Sequence, residues 1–119
     1  TKPQIDIILS KRKKIIKLLK KNNLKYLEGG STFYFLISIG KFPSSSLNFA
    51  LHMLAEYKIA VVPGSAYGKS TERFIRIGIG TESLERIEKA IILISREIES
   101  DNFDKKKINN FLKKQKIYS

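Results

Sequence analysis

The 119-residue chain has no cysteine, one histidine and one methionine. Without thiols, disulfides and thiolate chemistry are excluded. With His52 as its sole histidine, the chain also cannot build a His/Cys metal cluster. Acidic residues are scarce, 11 Asp and Glu against 23 Lys and Arg, which leaves a net charge of +12. No pair of carboxylates stands out for acid–base work. No apolar run approaches the roughly 20 residues needed to cross a bilayer. No signal-peptide pattern opens the chain, so a cytoplasmic location without membrane partners is the expectation. Prolines number three, and each marks a boundary between predicted elements.

Apolar residues make up 42% of the chain, which is ordinary for a globular protein, and the length suits one modest core. The basic residues gather at Lys11–Lys25, Arg12 among them, and again at Lys105–Lys116. Clustered lysines can neutralise phosphates, so a nucleic-acid site has to be weighed. Lysine far outnumbers arginine, and Ile, Lys and Asn are favoured throughout, as in AT-rich coding. Recognition of phosphates and bases tends to recruit arginine. The balance favours a solvated basic surface over a nucleic-acid partner.

Apolar residues at Ile5, Ile8, Leu9, Ile16 and Leu19 follow helical spacing, starting near Pro3 and ending at Asn22-Asn23. A short strand over 24–27 precedes the Gly29-Gly30 turn. Thr32–Ile39 is aromatic, β-branched and apolar on both faces, which reads as a central strand. Pro43 and three serines then signal a helix start, with Leu47, Ala50, Leu51 and Leu54 as its apolar stripe. A strand over Ile59–Val62, a glycine loop and a strand over Arg73–Ile79 follow. Thr81 is the expected N-cap of a helix burying Leu84, Ile87, Ile91, Ile94 and Ile98, with Glu82 and Glu85 favouring its N-terminus. This order predicts an α/β fold of the α+β kind: a three- to four-stranded, mainly antiparallel sheet with helices mostly on one face. Residues 1–100 form the expected domain, and 101–119 a basic extension with room for one short helix around Ile108, Phe111 and Leu112.

Arg76 is the residue that most needs explaining. Alternation puts Ile75, Ile77 and Ile79 on one face of their strand, and Phe74, Arg76, Gly78 and Gly80 on the other. The isoleucines must meet the helices, so Arg76 projects from the opposite face, with a glycine leaving room beside it. A guanidinium is costly to bury without an anion, and its planar fork suits bidentate capture of a carboxylate. The plainer reading is a surface arginine paired with a nearby glutamate.

Other motifs carry less. PGSAYGKS at Pro63–Ser70 nearly spells a phosphate-binding loop, but Pro63 replaces the first glycine and the segment leads into a strand instead of a helix. Gly78-Ile79-Gly80 lacks the third glycine of a dinucleotide fingerprint. His52 shares a polar stripe with Asn48 and Glu56, which reads as a wet face. Ser65 has no second histidine with which to build a triad. Phe33, Tyr34 and Phe35 lack the second aromatic strand of an RNA-binding sheet and read as core.

Taken in order, four segments resemble the C-terminal small domain of class I/II aminotransferases, pyridoxal-phosphate enzymes of fold type I. KRKKIIKLLKKNNL is similar to that domain's leading helix, and GGSTFYFLISI to its glycine-then-aromatic strand. LNFALHMLAEYKIAVVPGSAYG resembles its helix, valine-rich strand and P-G-x-x-[FY]-G loop, and RFIRIGIGTESLERIEKAI its arginine strand and capped helix. The resemblance runs from about Lys11 to Ile98. It implies amino-group transfer from an amino acid to a 2-oxo acid, with Arg76 holding the substrate carboxylate and Gly64 and Gly68 shaping the loop beside it.

The resemblance also implies pyridoxal 5'-phosphate in the full-length enzyme, a cofactor-binding large domain as partner, and a homo-oligomer. This stretch holds no candidate for the Schiff-base lysine, the pyridine-pairing aspartate or the phosphate cup, and Lys69 sits in the wrong loop. The chain alone is therefore expected to bind no cofactor and to be inactive. A non-catalytic interaction module on the same scaffold and a basic nucleic-acid-binding domain stand as the alternatives.

Overall fold

The computed structural model describes residues 2–28, 33–100 and 103–118. The first helix, α1, spans Lys2–Lys21 and stops where the asparagines predict. Asn23 turns left-handed with φ 57°, Leu24 N donates back to Leu19 O at 3.0 Å, and the Asn22 amide donates to Leu18 O at 2.8 Å. Carbonyls that the helix end would leave open are satisfied locally. Two short elements, β1 (Tyr26–Leu27) and β2 (Tyr34–Ser38), pair antiparallel. The glycine turn expected between them lies outside the described residues.

The second helix, α2, covers Ser46–Tyr57. Ser45 caps it by accepting from Asn48 N, and Lys58 ends it in the left-handed conformation, donating to Leu54 O. A two-residue strand, β3 (Val62–Pro63), leads into 3₁₀ turns over Gly64–Tyr67 and Lys69–Thr71, then β4 (Phe74–Gly78). The third helix, α3, is Leu84–Glu99, and the fourth, α4, is Lys105–Tyr118. Ser83 caps α3 by accepting from Arg86 N at 3.2 Å; Thr81 lies two residues too early for that role.

The sheet runs β1-β2-β4-β3, antiparallel throughout. Chain-distant β2 and β4 are thus its two interior strands, in the register Leu36↔Arg76 and Tyr34↔Gly78. One face is dry: Phe35, Ile37, Ile75 and Ile77 join Ile15 and Leu19 of α1, Phe49 and Met53 of α2, and Ile87, Ile91 and Ile94 of α3 in a single core. Phe35, Ile37 and Ile75 are fully excluded from solvent, each worth about 1.5–3 kcal/mol on burial.

The core differs from the expected one in two places. On α2, Leu47 and Leu54 are exposed, and the buried stripe is Ser46, Phe49, Ala50, His52 and Met53. The helix is rolled so that Phe49, the larger side chain, takes the core position. On α1, Ile5, Ile7 and Leu9 are exposed, and burial begins only with Arg12 and Ile15. No described helix is long and apolar enough to cross a membrane.

Candidate functional site

Arg76 stands on the sheet face opposite the core, as alternation requires, among Tyr34, Leu36 and Gly78. It is half-buried. Its guanidinium carbon lies 5.0 Å from the Tyr34 ring centre and 5.1 Å from the Tyr67 ring centre. Both separations fall within cation–π range. Among the described residues it has no carboxylate or carbonyl partner. The open space is real beside Gly78, where a Cβ would meet nothing within 4 Å.

The loop that carries Tyr67 depends on its glycines for different reasons. Gly64 is buried so tightly that a Cβ there would lie 2.0 Å from Thr71 O and 2.5 Å from Phe74 O. Thr71 Oγ1 donates to Gly64 O at 2.6 Å, drawing the two ends of the loop together. Gly68, with φ 120° and ψ −178°, occupies backbone space that only glycine enters readily. Ser46 Oγ, at the start of α2, accepts from Ser65 N at 3.3 Å and ties the loop to the body.

Two other arginines show what a structural guanidinium looks like in this fold. Arg73, just before β4, donates to the carbonyls of Gly40, Phe42 and Ser44 at 2.6–2.8 Å, clamping the turn before α2. The lysine-rich context places Arg12 among the solvated basic residues, but it is only 9% exposed. Its guanidinium lies 4.1 Å from the Phe35 ring centre and donates to Tyr34 O, Glu28 O and the Glu28 carboxylate. Arg12 falls on the helical stripe of Ile8, Ile15 and Leu19, and that spacing is the signal that could have placed it inside.

His52 also departs from the expected wet face, being 3% exposed. Its Nε2 lies 2.9 Å from Oε2 of Glu97, itself buried on α3, and Tyr57 OH donates to the other oxygen of that carboxylate. The hydrogen bond to Glu97 and partial burial push the Tyr57 phenol up to about 12. The cause of the burial is Phe103 and α4, which cover α2: Phe103 meets His52 and Phe42 edge to face, and Lys107 pairs with Glu56 at 3.6 Å. Alternation of polar residues along α2 alone does not reveal such a cover. Of the aromatic trio, Phe35 is core, Tyr34 flanks Arg76 and Phe33 is exposed. No metal-binding group of His, Asp and Glu exists among the described residues.

Residues 2–92 match the family described as aminotransferase class I and II. The chain belongs to that family. It is 36% identical over 87 residues to the aspartate aminotransferase of Pyrococcus abyssi, covering 68% of this chain and 22% of that enzyme. The aromatic-amino-acid aminotransferase 2 of Thermococcus litoralis is 32% identical over 87 residues, again with 68% and 22% covered. Among solved structures, the aromatic aminotransferase of Pyrococcus horikoshii superposes with a TM-score of 0.60 at 28% identity, over 92% of this chain and 25% of that one. The matched part is therefore about a quarter or less of each relative's length.

The family implies pyridoxal phosphate in its full-length enzymes. That cofactor needs a lysine amine withdrawn from water and donors gathered around a phosphate. Among the lysines whose burial is described none is buried: Lys11 is half-buried and donates to Glu82 O, and the others, Lys69 included, are exposed. These residues do not make that pocket by themselves.

Proposed function

We propose that this chain is the substrate-carboxylate-binding part, the C-terminal small domain, of a pyridoxal-phosphate-dependent aminotransferase. Arg76 is its grip on the amino acid. The observation that carries this reading is the contrast among three arginines. Arg12 and Arg73 spend their donors on protein carbonyls and a carboxylate, whereas Arg76 lies against two rings with its donors uncommitted among the described residues. A half-buried guanidinium in that state is set up for an anion that arrives from outside, and a carboxylate matches its fork.

The chain's own work is to bind and orient. The dry face of the sheet fixes β4, β4 fixes Arg76, and the Gly64–Gly68 loop closes over one side. The electron-withdrawing chemistry belongs to the cofactor, and the pocket for it belongs to a large domain that is this chain's partner. The substrate class is α-amino acids and 2-oxo acids. The assembled enzyme is a cytoplasmic homo-oligomer, and the chain alone is inactive.

The test replaces the corresponding segment of the Pyrococcus abyssi enzyme with this chain and compares Arg76→Ala with the parent. A charge-assisted hydrogen bond is worth about 1.5–3 kcal/mol, so kcat/KM for amino acids should fall at least about tenfold. Arg76→Lys should recover only part of that, since a point charge cannot reproduce the fork. Reaction with amines lacking the carboxylate should be unchanged. An equal loss for both substrate types would overturn the assignment.

A further inference from the structure

Tyr67 is half exposed, sits on a loop and packs against Arg76 instead of the core. Tyr34, from interior strand β2, meets the same guanidinium at a similar distance. We propose that Tyr67 and Tyr34 are positioning residues for Arg76: the two rings hold its guanidinium on the open face of the sheet with its N–H edge free, ready for an incoming carboxylate. This rests on the reading of Arg76 as the carboxylate grip.

The geometry supports the role in three ways. First, ring faces attract a guanidinium without competing for its in-plane donors. A carbonyl or carboxylate clamp such as those around Arg73 and Arg12 would hold the side chain equally well but would consume the fork. Second, the two rings are anchored independently. Tyr34 is fixed by β2–β4 pairing opposite Gly78, and Tyr67 by the 3₁₀ turn that begins at the tightly packed Gly64. Third, the space beside Gly78 stays open, so the rings restrict the arginine without filling the approach to it. Loss of side-chain freedom is a principal cost of binding, and an arginine restrained in advance gives up less of it.

The experiment uses the 119-residue chain labelled with ¹⁵N. The Arg76 Nε–H resonance is assigned by its disappearance in Arg76→Lys, and exposed Arg86 serves as internal reference. In the parent chain, Arg76 Hε should be shifted upfield by the rings and its Nε should be rigid on the ps–ns timescale, unlike Arg86. Tyr67→Phe and Tyr34→Phe keep a ring and should preserve both signatures. Tyr67→Leu and Tyr34→Leu should each loosen Nε and weaken acetate binding at Arg76 by about two- to fivefold. Binding is read against chloride at matched ionic strength, and unchanged backbone amide spectra establish that the variants are folded.

Leucine variants with a parent-like rigid Nε and parent-like acetate affinity would overturn the positioning role while leaving the carboxylate reading intact. Phenylalanine variants that behave like the leucine ones would overturn it as well, because the ring would then not be the agent. A ring-restrained Arg76 that responds to acetate no differently from chloride would instead sink the carboxylate reading, and the purpose of the positioning with it.

Discussion

Replacing Gly64 by alanine should damage this protein far more than a single methyl group suggests. The added Cβ would lie 2.0 Å from Thr71 O and 2.5 Å from Phe74 O. Both atoms are backbone, so no side-chain rotation relieves the clash. The φ at Gly64 is not left-handed, which makes close approach the whole reason for glycine at this position. To admit the methyl, the Gly64–Tyr67 turn must move off the start of β4. That strains the Thr71 Oγ1–Gly64 O hydrogen bond and the neighbouring Pro63↔Ile75 pairing.

Overpacking of this kind costs about 1–3 kcal/mol, and a compromised hydrogen bond adds about 1 kcal/mol. The sum, about 2–4 kcal/mol, corresponds to a fall in Tm of roughly 8–16 °C for a chain of this length. Gly78→Ala is the matched control: it meets nothing within 4 Å and should be neutral or stabilising by up to about 1 kcal/mol. Thermal and urea denaturation followed by circular dichroism measures both. A Gly64→Ala protein melting within about 2 °C of the parent would refute the packing argument.

Three further outcomes can be measured on the same chain. The Tyr57 phenol, raised to about 12 by its bond to Glu97, favours the neutral form in the fold, so its contribution to stability is intact below pH 10 and is lost as pH rises through about 12. An ultraviolet phenolate titration should lose its latest phase in Tyr57→Phe and shift it downward in Glu97→Gln; a Tyr57 that ionises with the other tyrosines would contradict this. Arg12→Lys should cost about 1–2 kcal/mol, because an ammonium cannot at once cover Phe35 and reach the Tyr34 and Glu28 carbonyls; unchanged urea midpoints would show that the buried fork is idle. Arg73→Ala should lower stability by a similar amount through its three lost carbonyl contacts, yet leave acetate binding at Arg76 unaffected, and a loss of that binding would mean that the two arginines are not separate in role.

Local patterns in the sequence placed most elements well where the deciding interaction is short-range, the cap of α3 at Ser83 instead of Thr81 being an exception. Asn22-Asn23 ends α1 because the amide and the left-handed backbone act within one turn. Ser45 begins α2 for the same kind of reason. Period-two alternation assigned the faces of β4, since Ile75 and Ile77 can bury only together. The misplaced core and surface residues share a cause of the opposite kind. The pattern of its own helix places His52 on a wet face, but Glu97, 45 residues on, and Phe103 from beyond α3 enclose it. Leu47 and Leu54 looked like core at helical spacing, but Phe49 and Met53 define the face that meets the sheet. Where two stripes of one helix are both apolar, spacing does not choose between them; the volume of the opposing core does.

The arginines separate these two regimes. A lysine-rich context suggests solvent for Arg12, and strand alternation suggests the open face for Arg76. Only the second rests on a constraint that the sequence itself carries. Whether an exposed guanidinium is free or committed depends on carbonyls and rings brought together by the fold. The carbonyls of Gly40, Phe42 and Ser44 converge on Arg73, while the rings of Tyr34 and Tyr67 converge on Arg76. Partner chemistry therefore distinguishes the two more sharply than burial. Carbonyls neutralise a guanidinium's hydrogen-bonding capacity and leave a strut. Rings stabilise its charge and leave its donors open. On that criterion, among the described residues, Arg73 is a strut, whereas Arg76 lies beside two rings with its donors open.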